Sequence, residues 1–200
     1  MQIVLIRHGQ TEGNLRKAYI GSTDEDLCAQ GQECALESAK LFARACPSVD
    51  GLYVSPLKRA VQTAQILFPD LEQHVVEDLR EMDFGDFEGK SYLDMSDDRR
   101  YREWVDGNCE GQCPNGEDRR SFCMRTEHAF EEIVSQASLC REETIAIVAH
   151  GGTVMSLLSC YAQPGREYFE WRLGNCEGYL AQLGFSEDGA PILFDVQKIG

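Results

Sequence analysis

No run of apolar residues in this chain approaches the length that crossing a bilayer requires, and the N-terminus lacks the basic-then-apolar layout of a secretory leader. A cytoplasmic protein without membrane attachment is expected. Positive charge is scarce: 19 Lys and Arg stand against 34 Asp and Glu, a formal net charge of −15. That balance argues against nucleic acid and acidic membrane surfaces as partners. It leaves room for a small anionic ligand, because surface charge is screened beyond about 8 Å in physiological salt and two or three arginines in a pocket then dominate. Internal repeats and low-complexity tracts are absent as well.

What is present is ordinary for a globular chain: 42% hydrophobic and 26% charged residues over 200 positions. That length suits one well-buried domain over 1–200 with room for a modest insertion. The nine cysteines are odd in number. Several of them (Cys34, Cys46, Cys140, Cys160) fall in apolar-periodic segments, where a reduced thiol acts as a small hydrophobe. Cys109, Cys113, Cys123 and His128 have spacings a zinc site could use. Scattered thiols in a Gly-rich loop and a helix are the plainer reading, and no metal is assigned.

Residues 2–6 (Gln-Ile-Val-Leu-Ile) are too apolar for a half-exposed strand and predict one covered on both faces. They deliver Arg7, His8 and Gly9 at the strand's carboxyl end, where open α/β sheets bind ligands. Helical spacing follows over 28–45, a short buried strand over 51–54, and a helix from Pro56 to residue 67. Residues 73–77 read as a strand, and 144–149 as a second strongly apolar one followed by His150-Gly151-Gly152 and a helix over 153–161. Two final strands, 176–185 and 191–198, flank a Glu-Asp-Gly turn. This alternation predicts an α/β fold, a three-layer α/β/α sandwich with a mostly parallel sheet. Residues 91–125 are polar, Gly/Cys-rich and weakly periodic, and read as an insertion covering the sheet edge.

Three strand ends therefore carry polar chemistry: Arg7-His8-Gly9, then 55–59 (Ser-Pro-Leu-Lys-Arg), then His150-Gly151-Gly152. In a parallel sheet these ends share one edge, so two imidazoles and two guanidiniums should converge. Two helix N-termini start beside them and Asn14 adds an amide, a set of donors suited to a dianion. At this point the sequence resembles the histidine phosphatase superfamily, which includes the phosphoglycerate mutases. The resemblance rests on Arg7-His8-Gly9-Gln10-Thr11 with Asn14, on residues 55–63, on residues 79–89, and on His150-Gly151-Gly152, in family order across nearly the whole chain. It implies a phosphoglycerate mutase-like fold with His8 as nucleophile and Glu81 as general acid. Arg7, Asn14, Arg59 and His150 would be phosphate ligands beside Gly151, with no cofactor and no metal. Glu81 is chosen over Asp83, Asp86 and Glu88 on the family motif alone. Two departures stand out: Ser22 follows Gly21 where the family often has an aromatic residue, and Cys28, a poor cap, opens a helix.

The resemblance also frames the substrate. Gly21, Ser22, Tyr92, Arg99 and Arg100 are candidate substrate contacts, although the insertion's arginines have acidic neighbours enough to be simply paired on a solvated face. Residues 114–117 (Pro-Asn-Gly-Glu) are similar to a pattern of the α-ribazole phosphatase branch. The expected activity is hydrolysis of a small phosphorylated metabolite, with α-ribazole 5′-phosphate the favoured example, by a monomer or homodimer. A phosphoglycerate mutase-type isomerase is the alternative. A non-catalytic module binding phosphorylated ligands fits less well, since Arg7, His8, Arg59, Glu81 and His150 are all present.

Overall fold

The computed structural model describes residues 1–200. In chain order the elements are β1 (Gln2–Arg7), α1 (Glu12–Leu15), α2 (Ala29–Ala45), β2 (Gly51–Val54), α3 (Lys58–Leu67), β3 (Gln73–Val75), α4 (Arg99–Asp106), α5 (Arg119–Cys140), β4 (Thr144–Ala149), α6 (Gly151–Tyr161), β5 (Gly178–Phe185) and β6 (Pro191–Ile199). Short 3-10 turns occupy Glu77–Leu79, Gly85–Phe87 and Tyr168–Trp171. The six strands form one sheet in the order β3-β2-β4-β1-β5-β6. The first four run parallel, while β5 and β6 add an antiparallel edge.

β1 sits inside the sheet because its side chains alternate between two apolar layers. Ile3 and Leu5 join Ile145, Ile147, Phe130, Ile133, Leu157 and Leu158, under α5 and α6. Val4 and Ile6 join Leu52, Val54, Phe42, Ala60 and Ala64, under α2 and α3. With both faces covered, alternation by polarity disappears and the strand reads as a continuous apolar run. Each aliphatic side chain so buried contributes about 1.5–3 kcal/mol.

Several elements differ from the expectation. The strand at 73–77 stops at Val75, and a 3-10 turn follows. Residues 91–125 are not simply a cover: they hold α4 and the first turns of α5, and Met95, Tyr101, Trp104, Cys113 and Phe122 pack with Met82 and Phe87 into a third apolar cluster. Its signal was short, Tyr101 and Trp104 three residues apart on an otherwise charged helix, too little to register as periodicity. Cys28 does cap α2, its Sγ accepting the Gly31 N–H at 3.4 Å. Cys46 is buried as expected of a small hydrophobe, but Cys140 and Cys160 are exposed. No helix is long and apolar enough to cross a membrane.

Truncating Leu5 to Ala should leave an unfilled space in the larger layer and destabilise the fold by about 2–5 kcal/mol. Urea unfolding would read this as a lower midpoint at unchanged slope.

Candidate active site

The register of the central strands sets the site. β1 pairs with β4 so that Arg7 faces Ala149, and β2 pairs with β4 so that Val54 faces Val148. The next residue on each strand is then His8, His150 and Ser55. The ladder extends one step further, with the His8 N–H on the Ala149 carbonyl and the Ser55 N–H on that of Val148, each at 3.0 Å.

The His8 and His150 ring centroids lie 5.0 Å apart, nearly edge to face. His8 Nδ1 donates to the Gly9 carbonyl at 2.6 Å, which leaves Nε2 as the unprotonated nitrogen. That Nε2 accepts the Arg59 Nε–H at 3.3 Å. Arg59 is fully buried and is held by the carbonyls of Thr23 at 2.7 Å, Gly21 at 2.8 Å and Ile20 at 3.4 Å. His150 Nε2 pairs with Ser55 Oγ at 2.7 Å. Burial, reinforced by the Arg59 and Arg7 cations, holds the pKa values of both imidazoles well below their usual value. Both rings are therefore neutral near pH 7.

Two buried polar atoms here have no partner, Arg7 Nε and His150 Nδ1. Such groups are nearly always paired in folded proteins, so two orphans side by side call for an acceptor. Arg7 Nη1 is anchored on the Leu173 carbonyl at 2.8 Å, which leaves Nε facing the first turn of α6 at Gly151. Asn14 Oδ1 accepts from Thr11 N and from Asn175 Nδ2, each at 3.2 Å, so its own amide N–H groups are not used in these bonds. The Gly151 end of α6 carries no side-chain cap. The start of α3 is less available than expected, because Asp24 takes the Lys58 N–H at 2.8 Å.

Glu81 completes the group. Its Oε1 accepts from Met82 N and its Oε2 from Gly152 N, both at 3.0 Å. Burial raises its pKa, outweighing those two N–H groups and the Arg59 and Arg7 cations that lower it. A Cβ at residue 152 would lie 2.2 Å from Glu81 Oε1, so glycine there lets the carboxyl keep this position. This places a carboxyl of raised proton affinity among cationic donors, an arrangement suited to binding an anion and supplying a proton to it.

Arg7, Asn14, Glu81, Gly151 and Gly152 line a cavity of about 370 Å³. His8, His150 and Arg59 are buried and are not among the residues that line it. The opposite wall is Tyr19, Phe84, Trp104, Cys109, Met155, Tyr168, Phe169, Arg119 and Arg172. Of the five candidate substrate contacts, none lines it. Tyr92 is exposed, Arg99 pairs with Glu103, and Arg100 pairs with Asp98 and Asp86. Gly21 and Ser22 act from behind: the Gly21 carbonyl holds Arg59, and both N–H groups bind Glu88. The insertion reaches the cavity through Trp104, Cys109 and Arg119 instead.

No metal-binding group forms among Cys109, Cys113, Cys123 and His128. The three thiols belong to or pack on the third apolar cluster, while His128 is exposed beside Glu132. Sequence reasoning missed Asn175, which donates to the His8 carbonyl at 3.0 Å from a loop without motif or periodicity. It also missed Tyr168 and Phe169, whose only signal was an aromatic run flanked by arginines.

A family model for the histidine phosphatase superfamily (branch 1) matches residues 3–193, and the chain belongs to that superfamily. Within it the chain is an enzyme of the phosphatase type, and its relatives carry more than one activity. It is 33% identical over 162 residues to the adenosylcobalamin/alpha-ribazole phosphatase of Salmonella typhimurium, covering 79% of this chain and 77% of that one. It is likewise 33% identical over 169 residues to the 2,3-bisphosphoglycerate-dependent phosphoglycerate mutase of Bartonella bacilliformis, covering 78% and 79%. Among solved structures, a phosphoserine phosphatase of Entamoeba histolytica bound to phosphoserine superposes with a TM-score of 0.77 at 29% identity, covering 96% of this chain and 94% of that one.

The depressed histidines have a consequence for stability. Each takes up a proton in the unfolded chain near pH 6.5 but resists it in the fold, so stability falls as the pH drops from about 6.5 towards the folded values. The slope approaches about 1.4 kcal/mol per pH unit for each histidine. Glu81, raised in the fold, acts with the opposite sign: its contribution is complete below about pH 4.5 and is lost as the pH rises through its folded value. Thermal melts between pH 7.5 and 5.5 should show Tm falling with pH, and His150→Gln should flatten that dependence.

Proposed function

We propose that the protein hydrolyses a small phosphomonoester through a phosphohistidine on His8. The observation that carries this reading is the pair of buried nitrogens without partners, Arg7 Nε and His150 Nδ1, in the same site as a neutral imidazole whose Nε2 carries no proton. With Ser55 Oγ donating to His150 Nε2, the ring proton sits on Nδ1, and a phosphoryl group would take that N–H and the Arg7 Nε–H along with the Asn14 amide and the uncapped start of α6. Its arrival displaces the Arg59 Nε–H from His8 Nε2 onto a phosphoryl oxygen. His8 Nε2 then attacks phosphorus, the bond to the ester oxygen breaks, and Glu81 gives its proton to the departing alkoxide. In the second half a water attacks phosphorus, Glu81 takes the water's proton, and the P–N bond breaks to free His8 and inorganic phosphate. Because phosphoryl transfer passes through a loose transition state, fixed cations provide much of the stabilisation. Arg7 and Arg59 fill the place a metal would otherwise take.

The leaving group faces the aromatic wall. Tyr19, Phe84, Trp104, Tyr168 and Phe169 suit a planar, weakly polar body; Arg119 is paired with Glu110, and Arg172 lies over the Phe169 ring at 4.8 Å. A benzimidazole riboside fits such a wall, which favours α-ribazole 5′-phosphate over a compact, doubly charged phosphoglycerate. The mutase relatives keep isomerisation as the second reading. The two part in assay: a phosphatase releases free phosphate without a bisphosphate primer, whereas a mutase needs the primer and releases little.

His8→Ala should lower kcat/KM for 4-nitrophenyl phosphate by at least about 10³-fold, while chelators leave the wild-type rate unchanged. With His8 needed unprotonated and Glu81 protonated, the rate should fall as the pH rises through the raised pKa of Glu81. Glu81→Gln should remove that falling limb and cost about 10²–10⁴-fold on alkyl phosphates. Phosphate release from a metabolite panel should rank α-ribazole 5′-phosphate above phosphoserine and 3-phosphoglycerate.

A further inference from the structure

The segment that carries Glu81 has no sheet or helix of its own to hold it. It runs from the 3-10 turn at Glu77–Leu79 to that at Gly85–Phe87. Three of its backbone carbonyls are instead held by one side chain on α5. Arg125 Nη1 donates to the carbonyls of Asp78 at 2.9 Å and Arg80 at 2.8 Å, and Nη2 donates to that of Glu81 at 2.9 Å. The remaining two N–H groups go to Glu117: Nε to Oε1 and Nη2 to Oε2, both at 2.7 Å. All five donors of the guanidinium are thus used. Glu117 closes the arrangement on the far side of the carboxyl, where Oε2 accepts the Asp83 N–H at 2.9 Å and the Glu117 N–H returns to the Asp83 carbonyl at 2.9 Å.

We propose that Arg125 and Glu117 are positioning residues for the proton donor, fixing the backbone on both sides of Glu81 so that its carboxyl meets the ester oxygen. This inference rests on Glu81 acting as the general acid. Neither residue lines the cavity, and every N–H of Arg125 is already spent on protein acceptors. Both are well shielded, with side-chain exposures of 13% and 22%, and Arg125 also lies over the Phe122 ring at 4.9 Å. A paired geometry this complete depends on the planar fork of arginine, and lysine reproduces only part of it. The pairing with Glu117 also balances the charge, so the cation next to the segment is not left free. α5 is a suitable anchor because Phe122, Phe130 and Ile133 root it in the packed interior.

A displaced general acid penalises poor leaving groups and spares good ones, whereas a loss of folded enzyme lowers all substrates alike. The test compares kcat/KM for benzyl phosphate, which departs as an alkoxide, with that for 4-nitrophenyl phosphate, which departs without help. In Arg125→Met, whose side chain keeps the packing on Phe122, the benzyl-to-nitrophenyl ratio should fall by about tenfold or more. KM for 4-nitrophenyl phosphate should stay within about twofold of wild type. Arg125→Lys should recover part of the ratio. Glu117→Gln, which keeps a carbonyl oxygen for the Asp83 N–H, should shift the ratio the same way by about threefold or more, and it decides the matter if Arg125→Met does not fold.

Folded variants with a wild-type ratio, alongside a Glu81→Gln enzyme whose ratio has collapsed, would overturn the positioning role while leaving Glu81 as the acid. A Glu81→Gln enzyme with an unchanged ratio would overturn the general-acid assignment, and this inference with it.

Discussion

The parallel pairing of β1 with β4, in the register that sets Arg7 opposite Ala149, is the constraint on which the site depends. It brings residues 8 and 150, far apart in the chain, to adjacent strand ends. A slip of one residue would exchange the two apolar layers as well as separate the imidazoles. The same hydrophobic alternation that builds the interior therefore also sets the distance between His8 and His150. Fold and chemistry share one determinant.

Burying two guanidiniums beside two imidazoles would be costly without compensation. Arg59 is satisfied by three loop carbonyls and one ring nitrogen, so its charge is carried by neutral dipoles and no carboxylate is spent on it. The positive potential stays available, and it adds to burial in holding both imidazole pKa values well below their usual value. Glu81 is buried in this field, and burial raises its proton affinity above that of an exposed glutamate despite the nearby cations.

The sheet and the polar strand ends were legible because their signals are local: continuous apolar runs, each ending in Arg-His-Gly, Ser-Pro or His-Gly-Gly. What lay outside those runs was harder to see. Arg99 and Arg100 look like anion ligands in a string of residues, yet each has an acid within helical reach, and the surface claims them. Arg119, twenty positions on, faces the cavity because α5 turns it inward. Asn175, Tyr168 and Arg125 act through long-range contacts to backbone atoms, and no pattern of residue types along a chain encodes which carbonyl a side chain will find. Cys28 shows the converse: a residue type ill suited to capping serves when the geometry supplies a nearby amide.

The third apolar cluster, built from α4, the start of α5 and the turn at Gly85–Phe87, shares no buried residue with the two layers that flank the sheet. The pairing of the two histidine-bearing strands and the Tyr19, Phe84 and Trp104 part of the wall consequently rest on different clusters. Replacements in Tyr101, Trp104 or Phe87 remodel the wall without moving β1 against β4. A scaffold divided in this way lets a lineage change the molecule it accepts while the bond it breaks stays the same.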